Sequence, residues 1–103
     1  MKEVYRLTHS FPPSENFGLT AQMRRCAISV PSNIAEGAAR HSKKEFLQFL
    51  GIARGSLSEL ETQFIIAREL GYADNYELFR DKLDETFRLL AGLINSIKRA
   101  TKE

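Results

Sequence analysis

The chain reads as an all-α protein, a single antiparallel up-down-up-down four-helix bundle, and three observations point there. Apolar residues recur at helical spacing over almost the whole length, strand-like alternation is absent, and the three prolines are confined to positions 12, 13 and 31. With 103 residues and 43% hydrophobic content, one core fits and a second does not, so residues 1–103 form one domain. No internal repeat or low-complexity segment interrupts the pattern, and the short connections favour consecutive helices as neighbours.

The first helix, about Lys2 to His9, carries Val4, Tyr5 and Leu7 and stops at Phe11-Pro12-Pro13, because proline disfavours helical geometry in its predecessor and has no N–H to donate. Ser10 to Phe17 is then a linker. The second helix, about Leu19 to Arg40, aligns Leu19, Met23, Cys26, Ala27, Val30, Ile34 and Ala38 on one face. Pro31 interrupts it; an internal proline frees the carbonyl of Ala27 and costs ~3 kcal/mol, so a kink is expected there. Ser29, Ser32 and Asn33 are at hand to bond the freed backbone groups.

The third helix opens on Ser42 and Glu45, a capping box, and continues through Phe46, Leu50, Ala53, Leu57, Leu60, Phe64 and Ala67 at 4,3 spacing, a seam that Gly71 ends. A second strip of Phe49, Ile52, Ile66 and Leu70 widens the expected buried face. Gly51 and Gly55 lie one turn apart, where each costs ~1 kcal/mol relative to alanine; close approach of another helix is the simplest compensation, with a hinge as the alternative. The fourth helix starts at a second capping-box pattern, Asp74 to Glu77, and runs through Tyr76, Phe79, Leu83, Phe87, Leu90, Ile94 and Ile97 to Lys98, Arg99 and Lys102. Those last cations suit the negative end of the helix dipole, which explains them more simply than nucleic-acid contact.

The tract Gly18-Leu19, Gln22, Arg24-Arg25, Ser29, Pro31-Ser32-Asn33-Ile34-Ala35-Glu36-Gly37 and Arg40 resembles the 23S rRNA intervening-sequence protein family. That family consists of small four-helix bundles, to which the accessory variability proteins of diversity-generating retroelements are related, and it is defined by fold more than by any biochemical activity. Relatives are ring-shaped homopentamers, so the resemblance implies a homo-oligomer, with a protein partner such as a reverse transcriptase as a further possibility. Members usually begin the first helix well upstream, with a tryptophan in it. This chain has no tryptophan, and its first helix is about 12 Å long against about 30 to 45 Å for the others. Either the start is shortened or a second subunit covers part of the groove, since an uncovered half-groove exposes apolar side chains.

Charge is small overall, 15 basic against 13 acidic residues, but it is segregated. Between residues 19 and 44, Arg24, Arg25, Arg40, Lys43 and Lys44 face Glu36 alone, a net of +4; between 45 and 97, five cations face nine acids, a net of −4. Such asymmetry orients an anionic partner or pairs one subunit with another. The candidate nucleic-acid-binding residues are therefore Arg24, Arg25, Arg40, Lys43 and Lys44, directed at RNA or DNA backbone because no aromatic is interleaved with them in sequence. Ser29, Asn33 and Glu36, with Gly51 and Gly55, are candidates for subunit contacts. The plainer reading of the same stripe is a solvated helix face with a Glu36–Arg40 pair worth a few tenths of a kcal/mol.

Catalysis is not expected. His9 and His41 lack the spacing of a helical metal site, no Glu-x-x-His occurs, and Cys26 lies on the apolar stripe as a small buried hydrophobe in a reducing compartment. No cofactor or metal is expected. With no apolar run long enough to span a bilayer and no signal-like start, a cytoplasmic protein without membrane contact is the default. The leading expectation is an oligomeric bundle that binds nucleic acid or escorts a protein that handles it; the alternative is an interaction scaffold in which the arginines make only intersubunit ion pairs.

Overall fold

The computed structural model describes residues 2–73 and 76–102, with side chains for 2–73 and 77–100. Four helices follow in order: α1 (Lys2–His9), α2 (Leu19–Ala38), α3 (Lys43–Glu69) and α4 (Tyr76–Lys102), with a single 3₁₀ turn at Pro13–Glu15 inside the α1–α2 connection. No strand occurs among the described residues. The molecule extends 50 × 25 × 18 Å.

Each helix end has an identifiable chemical cause. Gly18 at the start of α2 has no side chain to cap it, and the Glu15 carboxylate instead accepts the Leu19 N–H at 3.2 Å, placing an anion at the positive end of the helix. Ser42 accepts the Glu45 N–H at 3.1 Å, which is one half of the expected capping box. At the far end of α3, Gly71 adopts φ 79°, and the N–H groups of Gly71 and Tyr72 reach the carbonyls of Arg68 and Ala67 at 3.0 and 2.9 Å. That is a Schellman closure, and it needs a residue tolerant of positive φ. The Asp74 to Glu77 cap lies partly outside the described residues.

One core holds the helices together. Leu50, Ala53, Leu57, Leu60, Phe64 and Ala67 of α3 are all fully buried, as the 4,3 spacing predicts, and Phe46 is half-buried beside them. Met23, Cys26, Ala27 and Val30 from α2 meet that seam, as do Phe79, Leu83, Leu90 and Ile94 from α4, while α1 adds Val4. Each large side chain withdrawn in this way is worth about 1.5–3 kcal/mol. Cross-helix pairs set the levels: Cys26 meets Glu59, Ser29 meets Ser56, and Gly37 lies against Phe46 and Phe49, while on the other side Phe64 stacks on Phe79 with ring centroids 4.5 Å apart.

Three expectations are corrected. Ala38 is exposed, and Gly37 beside it is the buried residue at the end of the α2 face. The close approach expected at Gly51 and Gly55 is found at Gly37 instead: a Cβ there would lie 2.7 Å from the Phe49 Cβ and 2.9 Å from Phe46 Cδ1, whereas Gly51 and Gly55 have nothing within 4 Å. Of the second α3 strip only Phe49 is partly buried, against Gly37, while Ile52, Ile66 and Leu70 are each about half exposed and do not widen the buried face.

Candidate nucleic-acid interface

Helix α2 carries Arg24 and Arg25 near its start, the turn after it carries Arg40, and the first turn of α3 carries Lys43 and Lys44. With a rise of about 1.5 Å per residue these two groups stand roughly 20 Å apart. That exceeds the Debye length of about 8 Å at physiological salt, so they act electrostatically as two clusters.

The first cluster is partly committed within the chain. Arg24 is half-buried; its Nε donates to Thr8 Oγ1 at 2.9 Å and its guanidinium lies 4.9 Å from the centre of the Tyr5 ring. Thr8 is held for this role by donating its own hydroxyl proton to the Val4 carbonyl at 2.8 Å. Arg25 is exposed and donates to Gln22 Oε1.

The second cluster is open. Arg40 pairs with Glu36 at 2.7 Å across one turn and stacks over Phe49 with 4.9 Å from guanidinium carbon to ring centre. Both ends of that pair are exposed, so it contributes only a few tenths of a kcal/mol and is easily exchanged for another anion. Lys43 and Lys44 are exposed and have no ion-pair partner among the described residues.

Tyr5 and Phe49 are the residues that sequence reading missed. Both stand beside arginines only because the fold brings another element there, Tyr5 from α1 and Phe49 from the second turn of α3. The one available signal was Phe49 itself, an aromatic close after the basic turn and off the main seam.

The other candidate residues are used inside the chain. Asn33 Nδ2 donates to the Ser29 carbonyl at 2.8 Å and to Ser29 Oγ at 2.9 Å, and the Ser29 and Ser56 hydroxyls are hydrogen-bonded to each other at 2.7 Å. The polar residues around Pro31 thus tie α2 to α3. Glu36 is engaged by Arg40, and Gly51 and Gly55 lie on the exposed side of α3.

Cys26 is 5% exposed, with Sγ 3.6 Å from Glu59 Oε2 and receiving Gln63 Nε2 at 3.5 Å. Burial above all, helped by the neighbouring Glu59, raises its pKa above the ordinary 9.0, so the thiol stays protonated at neutral pH. Among the described residues no group of three His, Cys, Asp or Glu side chains is placed to hold a metal ion, and no helix is long and apolar enough to cross a membrane.

A family model described as 23S rRNA-intervening sequence protein matches residues 1–92. The chain belongs to that family. No curated protein matches it. For a 23S rRNA-intervening sequence protein, the matched region takes in all of α1 to α3 and most of α4, so both basic clusters and the Ser29–Asn33–Ser56 tie lie within it.

Proposed function

We propose that this chain is a non-enzymatic, oligomeric helical bundle that binds the backbone of RNA or DNA, or a protein that handles nucleic acid, through the exposed cations of α2 and the α2–α3 turn. The observation that carries the reading is the exposure of Arg25, Arg40, Lys43 and Lys44 on a segment whose single acid, Glu36, is already engaged. The family's description links it to an rRNA element, in keeping with a nucleic-acid ligand. An antiparallel bundle, with α2 bent at Pro31, is the arrangement most consistent with the cross-helix pairs. Binding would be directed at phosphates, salt-sensitive and poor in sequence discrimination.

A second reading is favoured by a different observation. Gly51 and Gly55 are exposed beside the half-exposed Ile52, and Ile65 and Ile66, about half exposed, lie further along the same helix, so one side of α3 is suited to another helix. On that reading the protein is a scaffold without nucleic-acid affinity, and the homopentamer implied by resemblance, or a partner such as a reverse transcriptase of a diversity-generating retroelement, covers this side.

Fluorescence polarisation of a labelled RNA and a DNA duplex, at low and physiological salt, tests the first reading, with mass from light scattering on the same sample. Binding that weakens steeply with salt supports it. An intact oligomer that binds neither polymer supports the scaffold.

A further inference from the structure

We infer that the phosphate-binding surface is a cationic pole at one end of the bundle, where Lys98 and Arg99 of α4 join Arg40, Lys43 and Lys44. This rests on the nucleic-acid reading and moves its centre away from Arg24 and Arg25.

The placement follows from the packing of α3 and α4. Phe64 stacks on Phe79, and Arg80 reaches Glu61 at 2.8 Å, so the two helices are level at that point. Beyond it Leu83, Leu90 and Ile94 are buried in the same core as Leu57 and Leu50, in keeping with α4 running back along α3. Lys98 and Arg99 follow Phe79 by 19 and 20 residues, and Lys44 and Lys43 precede Phe64 by 20 and 21. At about 1.5 Å per residue, both pairs stand roughly 30 Å from the ring contact, at the same end. Leu47 and Ile97, half-buried at the edge of the core, lie just inside them. Arg40 is brought to this end by the contact of Gly37 with Phe46 and Phe49.

Five cations from three elements thus stand at one end, and among the described residues the acids there are Glu36, held by Arg40, and Glu45. The opposite end is mixed, with Glu15, Glu69, Glu77 and Asp81 among its charges. Lys43, Lys44, Lys98 and Arg99 are all exposed and have no ion-pair partner among the described residues.

Helix dipoles account for only part of this. Arg40, Lys98 and Arg99 stand at helix C-termini, where a cation is favoured. Lys43 and Lys44 occupy the first turn of α3, where the dipole disfavours a cation, and three other cations raise the potential further. Fold stability gives no reason for that choice, whereas a polyanion does. The pole offers point charges, and of its two aromatics Phe49 lies under Arg40 while Phe46 packs against Gly37. Its ligand is the phosphodiester backbone of a duplex or folded RNA, read without base stacking.

The test is a log–log salt titration of affinity for a labelled RNA duplex, using the full chain and three double variants. Lys98→Gln with Arg99→Gln, and Lys43→Gln with Lys44→Gln, are each expected to make the slope shallower by about 2, at roughly 0.9 per phosphate contact, while Arg24→Gln with Arg25→Gln leaves it nearly unchanged. Wild-type binding whose slope responds only to the Arg24 and Arg25 changes overturns the pole and spares the nucleic-acid reading. Absence of wild-type binding to RNA and to DNA overturns both, also when the protein is retained on phosphatidylserine vesicles. Lysine acetylation of the wild-type complex needs no variant: Lys43, Lys44 and Lys98 should be protected by RNA while Lys82 stays reactive, and a Lys98 as reactive as Lys82 overturns the proposal.

Discussion

Glycine separates packing from propensity at the scale of single residues. Gly37→Ala would force a Cβ to 2.7 Å from the Phe49 Cβ, and that atom is anchored to backbone and cannot swing away, so urea unfolding should show a loss of about 1–3 kcal/mol. Gly51→Ala and Gly55→Ala meet nothing within 4 Å, and each should stabilise the isolated chain by about 0.5–1 kcal/mol. Periodicity marked all three glycines as helical but could not say which one a neighbour touches, because that depends on how α2 and α3 turn toward each other. Cys26 supplies a pH dependence. Its pKa is raised in the fold above 9.0, so the unfolded chain releases the proton first and stability falls as pH rises past about 9. Cys26→Ala should flatten that alkaline fall, measured as Tm between pH 7 and 10, although removing the buried sulfur lowers Tm at neutral pH.

At the scale of elements, α3 is where sequence and structure agree most fully and also where they part. Its seam from Phe46 to Ala67, its serine cap and its glycine closure were all legible, since each is a local rule: a 3.5-residue repeat, a side-chain oxygen before the first turn, a positive φ after the last. Ile52 and Ile66 were not, because an apolar residue off the seam is buried only if some other element covers it, and α1 is too short to do so from its place beside α2. The engagement of Arg24 by Thr8 and Tyr5 of α1 was hidden for the same reason. The first turn of α3 gives a paired prediction. Ser42→Ala should cost about 1 kcal/mol by leaving the Glu45 N–H without its acceptor. Lys43→Gln should add a few tenths of a kcal/mol by removing a cation from the positive end of the dipole. If Lys43→Gln instead lowers Tm, the lysine has a stabilising contact and the case for its serving a ligand weakens.

At the scale of the whole molecule, assembly and binding are coupled predictions. A single chain presents five cations at its pole, enough for modest, salt-sensitive affinity; a ring of chains repeats them and multiplies the phosphates engaged by one ligand. The exposed side of α3, with Gly55 open and Ile52 and Ile66 flanking it, is the surface through which a second copy could approach closely. Gly55→Leu is therefore the decisive change, since a Cβ at that position has no neighbouring element within 4 Å, yet a leucine there would hold another helix away. The helical content should stay intact by circular dichroism, while light scattering should report a fall toward the 11.7 kDa of one chain. The salt slope for RNA should become shallower in the same step, because each complex then neutralises fewer phosphates. A mass that falls while the slope holds would mean that one pole suffices for the whole interaction. A mass that does not fall would place the subunit contact elsewhere, and the half-exposed isoleucines of α3 would then await a partner of a different kind.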